Sequence, residues 1–360
     1  MPTSAPLFEL SVVVPVLNEA AGIAAFLRGL AAQQGVVFEV LVCDGDSGDG
    51  TLTTVRELTD GLPFAVQIVQ KGRGRAQQMN AGARAATGEY LLFLHADSFF
   101  PDPFSLCQAL SCLRQAEQKR GNGRIAARFS LRFQHRDRGA PFFYYFAECK
   151  ARLDRPGCTH GDQGFLVGRP FFTVAGPFEP SCMLMEDTRF AETVRTRGQW
   201  ILLPAELVTS ARRFETEGPA VRQVLNMILM TLNAIGREDF IGEMPEVYAV
   251  QCRAGRLRLF PFLDKIQRLL KSLPFRERAR FWFAAGSFVC LNAWQIAFFL
   301  DVRGNFRQGI PVGLGKTPCL DHFDRCLTTV FSSKPLAVLA AGLTFLSFHI
   351  VRLLCRFYGW

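Results

Sequence analysis

Residues 39–51 read EVLVCDGDSGDGT, an apolar, β-branched run that breaks into alternating Asp and Gly. Asp44 and Asp46 have the spacing that opens a calcium loop, so that chemistry is tested first. An EF-hand loop also needs Asp or Asn at its fifth position, Gly at the sixth and Glu at the twelfth, entered from a helix. Counted from Asp44, those places hold Gly48, Asp49 and Val55, and the approach is strand-like. Calcium is excluded, and the carboxylates need another use.

The flanking sequence supplies it. SVVVPV (11–16) precedes a helical stretch over 20–34, and a second helix is predicted from about Thr51. FAVQIV (64–69) precedes a third helix through AQQMNAGARAA (76–86), and YLLFLHAD (90–97) closes the series. Short apolar strands alternating with helices predict a mostly parallel sheet covered on both faces. Right-handed crossovers bring the strand C-termini to one edge, where ligands of open α/β sheets collect. Asn18 and Glu19 follow the first strand, Asp44 the second, Lys71 and Arg73 the third, and His95 and Asp97 the fourth. The Asp/Gly knot is therefore read as the floor of a ligand cleft, with Asp49 as a helix cap. GRGRAQ (72–77) is not a dinucleotide fingerprint, because Gln77 stands where the third Gly belongs.

Composition narrows the function. The 360 residues are 49% apolar with 34 Phe, ample for one large domain or a domain plus an extension. The net charge of +9 is concentrated, since 252–281 holds nine Lys or Arg against two acids. A block so localised points to a surface contact, and no RNA motif or zinc-finger spacing accompanies it, so nucleic acid is not expected as a partner. Eleven scattered Cys without a C-x-x-C pair fit a reducing compartment. MPTSAPLFEL lacks the parts of a signal peptide, so the catalytic portion is expected in the cytoplasm.

VVVPVLNEA, VLVCDGDSGDGT, GRGRAQQMNAGARAATGEYLLFLHADS and MEDTRFAETVRTRG together resemble family 2 glycosyltransferases of the GT-A type. The resemblance runs from about Leu10 to Ile235, and its pattern is closest to a subgroup associated with radical-SAM and selenodomain proteins and linked to arsenosugar biosynthesis. It implies a GT-A nucleotide-sugar-binding fold and inverting transfer of a sugar from a nucleoside diphosphate donor to a hydroxyl. By the same resemblance Pro15, Asn18, Glu19 and Asp44 lie around base and ribose. The family's D-x-D metal motif reads His95-Ala96-Asp97, making Asp97 the ligand of Mn or Mg, with His95 beside it as ligand or hydrogen-bond donor. Asp187 maps to the catalytic base, with Glu186 as the alternative; a plain helix cap would also put Asp here.

Other residues are read on their chemistry. Arg75 is a diphosphate contact or a solvated surface residue. Gln77 and Asn80 share one helix face toward the donor sugar. Asp162 and Gln163, in THGDQGFLVGR (159–169), form a polar turn suited to acceptor or donor hydroxyls. Arg212 and Arg213 in SARRFE resemble an R-R-W element used against pyrophosphate, or a surface charge pair. The expected domains are a catalytic domain over 1–236 and a helical extension over 237–360. Within the extension, 282–300 and 335–351 are charge-free and near the ~20 residues a span needs. Membrane contact at the cytoplasmic face, with a small-molecule or lipid-linked acceptor, is weighed against a buried helical hairpin. A nucleotidyltransferase, a nucleotide-sugar-binding protein without turnover, and a membrane protein that docks partners are the rival functions.

Overall fold

The computed structural model describes residues 8–136, 141–182, 184–252 and 257–358. It divides into two compact units, one made of residues up to Gln134 with Lys150–Ser210, the other of His135–Cys149 with the chain from Ala211 onward. The expected boundary at 236 therefore moves to Ser210. The reason is α9, below, whose Leu225, Leu229 and Leu232 are buried and which packs on helices of the second unit.

The first unit contains an eight-stranded sheet among the described residues. Its strands are β1 (Leu10–Val16), β2 (Phe38–Asp44), β3 (Ala65–Gln70), β4 (Tyr90–Phe93), β5 (Ser98–Phe99), β6 (Ile125–Gln134), β7 (Phe165–Gly168) and β8 (Gln199–Ser210). The helices are α1 (Ala20–Ala31), α2 (Thr51–Thr59), α3 (Arg75–Ala85), α4 (Ser105–Arg120), α5 (Pro141–Ala151), which belongs to the second unit as far as Cys149, α6 (Arg169–Ala175) and α7 (Glu186–Arg197). The sheet order is β3-β2-β1-β4-β7-β6-β8-β5. The first four strands are parallel, as are β6 and β8, whereas β7 and β5 run against their neighbours.

Strand alternation sorts the core into two layers. Val12, Val14, Val16, Val40 and Val42 pack with Ile23, Leu27, Val55, Leu106 and Leu110 on one face. Val13, Leu41, Phe93, Phe165 and Trp200 pack with Met79, Phe172, Phe178 and Phe190 on the other. Close approach of α3 depends on Gly82, where a Cβ would lie 2.5 Å from Cys43 Sγ and from Val13 Cγ1. The second layer is aromatic: Phe178 and Phe190 have ring centroids 4.5 Å apart, and Phe93 and Phe178 4.9 Å.

The second unit is helical: α8 (Arg212–Glu217), α9 (Pro219–Ala234), α10 (Glu238–Gly242), α11 (Met244–Cys252), α12 (Phe260–Ser272), α13 (Phe275–Leu291), α14 (Trp294–Arg307), α15 (Pro318–His322), α16 (Thr328–Phe331) and α17 (Lys334–Tyr358). Arg253 and Arg256 of the basic block lie outside the described residues. The apolar run 282–300 is not one uninterrupted helix, because α13 ends at Leu291 and Asn292 caps it by bonding its side chain back to the Phe288 carbonyl at 2.9 Å. Helices α13 and α17 pack antiparallel, Trp282 against Phe345 and the Cys290 thiol toward the Leu336 carbonyl. They meet so closely at Gly286 that a Cβ there would sit 2.3 Å from the Ala341 nitrogen. Small residues permit such contact between apolar helices. Phe275–Arg307, interrupted at Asn292, and Lys334–Phe357 have the length and hydropathy of membrane spans, and their apolar windows are 33% and 11% buried. The ten cysteines whose side chains are described are free thiols.

Candidate active site

The loops after β1 and β2 interlock. Asn18 (φ 56°) and Asp46 (φ 73°) adopt the left-handed conformation, which Asn and Asp tolerate better than most residues. Asn18 Oδ1 accepts the Gly48 N–H at 2.9 Å, and the Ser47 hydroxyl accepts the Asn18 N–H at 2.9 Å. Asp44 is 3% exposed and accepts the backbone N–H of Asp46 and Ser47 at 3.1 and 3.2 Å. Asp49 serves both following helices, accepting the first N–H of α1 from Ala20 and of α2 from Thr51, each at 3.0 Å. The bond from the Thr51 hydroxyl is the largest of the effects holding the Asp49 carboxyl below its usual range. Pro15 and Glu19 are partly buried on the same rim. Gln78 closes it from below, donating to the carbonyls of Val16 and Cys43 at 2.8 and 2.7 Å.

A second constellation gathers beyond β4. Arg75 opens α3 immediately after Gly74, whose φ of 140° suits glycine. Its Nε donates to Glu186 Oε1, and its Nη1 lies 3.4 Å from His95 Nε2. A guanidinium only donates, so in any hydrogen bond between them His95 Nε2 is the acceptor. Glu186 and Asp187 occupy the first turn of α7, where the helix dipole favours anions. Met185, just before them, is held at φ 68°, a conformation that costs energy and concentrates at functional sites.

Asp187 does not cap its helix. Its Oδ2 accepts the Gly161 N–H at 2.8 Å and its Oδ1 the Thr188 N–H at 2.7 Å. Burial pushes its pKa up, but Arg75, His160 and these two amides outweigh burial and hold the carboxyl below the usual range. Burial, and to a lesser extent the Asp187 charge, raise Glu186 against the pull of Arg75. Asp162, in the 3-10 turn Gly161–Gln163, is raised mainly by burial and further by the charges of Asp187 and Asp97. Neighbouring carboxylates thus settle into different protonation preferences. A small cleft lies between Arg75, His95, Gly161 and Asp187 over the rings of Phe93, Phe165 and Phe178.

His95, Arg75, Asp162, Glu186 and Asp187 are thus brought together, whereas other candidates are used differently. Asn80 is 4% exposed and bonds both ways to the Phe178 backbone, at 2.7 and 2.9 Å, so it fixes the cleft wall and does not face a sugar. Gln163 is fully buried and spends its amide on the Ala151 carbonyl and the His160 N–H, at 2.6 and 3.1 Å. Gln77 is partly exposed near the start of α3. Arg213 is exposed on α8 of the second unit, where it acts on the Tyr248 hydroxyl. His160, which carried no expectation, joins Thr188 Oγ1 through Nδ1 at 3.2 Å and the Gly157 carbonyl through Nε2 at 3.1 Å.

Among the described residues, no group of three or more His, Cys, Asp or Glu has the makings of a metal site. Asp97 is exposed just beyond β4 and fits the sparser type, in which one carboxylate and substrate phosphates hold Mg or Mn. His95 fits less well as a ligand, since its Nε2 faces a guanidinium.

Residues 11–117 match the family described as Glycosyl transferase family 2. The matched segment, which carries β1 to β4 and most of α4, is similar to family 2 glycosyltransferases. An uncharacterised glycosyltransferase of Haemophilus influenzae is 35% identical over 91 residues, which is 25% of this chain and 30% of the relative. A PGL/p-HBAD biosynthesis glycosyltransferase of Mycobacterium bovis is 33% identical over 115 residues, 32% of this chain and 44% of the relative. The matched stretches thus span less than half the length of these relatives. Among solved structures, a mannosyltransferase from Pyrobaculum calidifontis with GDP-Man and Mn2+ covers 98% of this chain and 83% of its own, at 16% identity and TM-score 0.44. Residues 1–349 of TarS from S. aureus with UDP cover 88% and 91%, at 15% identity and TM-score 0.46.

Proposed function

We propose that the protein transfers a sugar from a nucleoside diphosphate sugar to an acceptor hydroxyl, with inversion, using Asp187 as general base. The observation that carries this reading is Asp187 itself, kept ionised by Arg75 and two backbone amides inside a cleft beside the family 2 segment. An ionised carboxylate at that position takes the acceptor proton as the oxygen attacks the anomeric carbon. Glu186 holds Arg75, which lies against His95 at the cleft edge. The loops carrying Pro15, Asn18, Glu19 and Asp44 receive the nucleoside, Gln77 faces the donor sugar, and Asp162 meets the acceptor. A Mn or Mg ion held by Asp97 supplies charge neutralisation for the leaving diphosphate when bound.

Within the family, the motifs GR-QMN-GA, LLFLHAD, GDQG and ED support the subgroup linked to radical-SAM proteins and arsenosugar biosynthesis. The two long apolar stretches of the second unit support contact with a membrane. The basic residues before α13, and Arg352 and Arg356 near the end of α17, favour the cytoplasmic side.

Calorimetric titration of UDP and GDP sugars in the presence of Mn tests the donor half of the reading. Wild type is expected to bind one class with metal dependence, and Asp97→Asn to lose that dependence. Undiminished metal-dependent binding to Asp97→Asn overturns the metal assignment. For a donor that turns over, the anomeric configuration of the product by NMR decides inversion.

A further inference from the structure

Behind the turn that carries Gly161 lies a set of cations that the transfer reaction does not use. Arg128, on β6 just before its register slip, is 1% exposed. Its Nη2 donates to the Leu153 carbonyl at 2.7 Å, but its Nε and Nη1 are buried without a hydrogen-bond partner among the described residues. Native proteins rarely leave buried donors unused, least of all on a charged group. Lys150, Arg155 and Arg195 join Arg128 around the Cys158 thiol. Asp154 and Glu192 are both paired with Arg195. Burial holds Arg128 and Lys150 below their usual values, the sign of positive charge without enough compensation.

We propose that Arg128 and Lys150 form a binding site for a phosphomonoester group. The orphaned guanidinium nitrogens supply the planar fork that phosphate oxygens accept, and a lysine ammonium adds a point charge beside it. Entry requires the segment from Leu153 to Gly157 to lift, exchanging the single Arg128–Leu153 bond for bonds to the anion. Cys158 is three residues from Gly161, whose N–H holds Asp187, and three residues reach at most about 10 Å. A phosphate anchored here therefore belongs to the acceptor side, which rests on the transfer reading; the site itself does not.

The test is direct binding of inorganic phosphate to the full-length protein, followed by thermal shift and calorimetry, with sulfate-free buffer and no nucleotide. Phosphate is expected to raise the melting temperature of wild type and of Arg75→Gln, whose change lies in the Asp187 cleft. Arg128→Met and Lys150→Met are each expected to weaken phosphate on the order of 10- to 100-fold, the worth of a charge-assisted bond. Repeating the titration with glucose 6-phosphate and with farnesyl phosphate in detergent separates a soluble from a lipid-linked source. Absence of any phosphate-dependent shift in wild type overturns the site, as does a shift retained in both methionine variants. A shift lost in Arg75→Gln but kept in Arg128→Met assigns the phosphate to the donor cleft and also overturns it. None of these readouts needs turnover, so a failed transfer reading leaves the outcome interpretable.

Discussion

The two units depart from the ordinary globular pattern in opposite directions. In the first, charge goes inward: Glu186, Arg128 and Asp44 are 1%, 1% and 3% exposed. In the second, apolar surface goes outward, with Val338, Leu339, Leu343, Leu346 and Ile350 of α17 between 54% and 61% exposed. A buried charge and an exposed apolar stripe are the informative exceptions, since isolated exposed leucines are common. The first unit ties its charged groups into a hydrogen-bonded network, and the second leaves an apolar stripe of α17 in the open.

The largest expected effect falls on the inward charge. Asp187→Asn keeps the shape and an oxygen for one of the two amide bonds, from Gly161 or Thr188, but accepts no proton, so turnover should fall by about 10²–10⁴ with donor binding little changed. If Glu186→Gln shows that pattern while Asp187→Asn stays active, the two carboxylates exchange roles. The outward surface is probed by Leu343→Arg. Because Leu343 is 56% exposed, stability in detergent should hardly change, whereas partition into anionic liposomes should drop by roughly 10²-fold, the cost of Arg in hydrocarbon. Unchanged flotation with liposomes would remove lipid from the account of α17.

Two smaller effects sharpen the view of the first unit. Glu186→Gln should cost roughly 1–3 kcal/mol in urea unfolding, because Arg75 loses the charge of its main partner. Asp162→Asn should raise the melting temperature at pH 7, on the order of 2 °C. A carboxyl whose folded pKa is raised weakens the fold once pH exceeds that pKa, so the gain should shrink as pH falls and Asp162 protonates. Asp187 has the opposite sign. Its depressed pKa adds stability above the usual carboxylate value, lost only as pH falls through the lower folded value. An Asp162→Asn gain that grows on acidification contradicts this ordering.

The parallel half of the sheet was legible because strands buried on both faces leave unbroken apolar runs such as VVVPV and EVLVC. The other half hides its pattern. β6 carries Arg128 and Arg132, β7 is four residues long, and β8 contains Pro204, so none presents a clean period. The carboxylates of the site were visible by type, but their division of labour depends on Arg75, which approaches Glu186 from 111 residues away. Gln77 and Gln78 look alike in sequence, and only the geometry of α3 turns Gln78 toward Val16 and Cys43. Asn80 lies on the expected helix, but its amide is spent on the Phe178 backbone, and nothing local in the sequence announces that bond. The break at Asn292 is likewise silent in a charge-free run, where hydropathy registers length but not a cap.

The most direct test of the central claim is the fate of the donor. Wild type and Asp187→Asn are incubated with Mn, a panel of UDP and GDP sugars and candidate phosphorylated acceptors, and the phosphorus products are followed by 31P NMR. Release of a nucleoside diphosphate by wild type, matched to a glycosylated acceptor and suppressed in Asp187→Asn, is the expected result. Release of pyrophosphate, or equal nucleoside diphosphate release by both proteins, would contradict glycosyl transfer with Asp187 as its base.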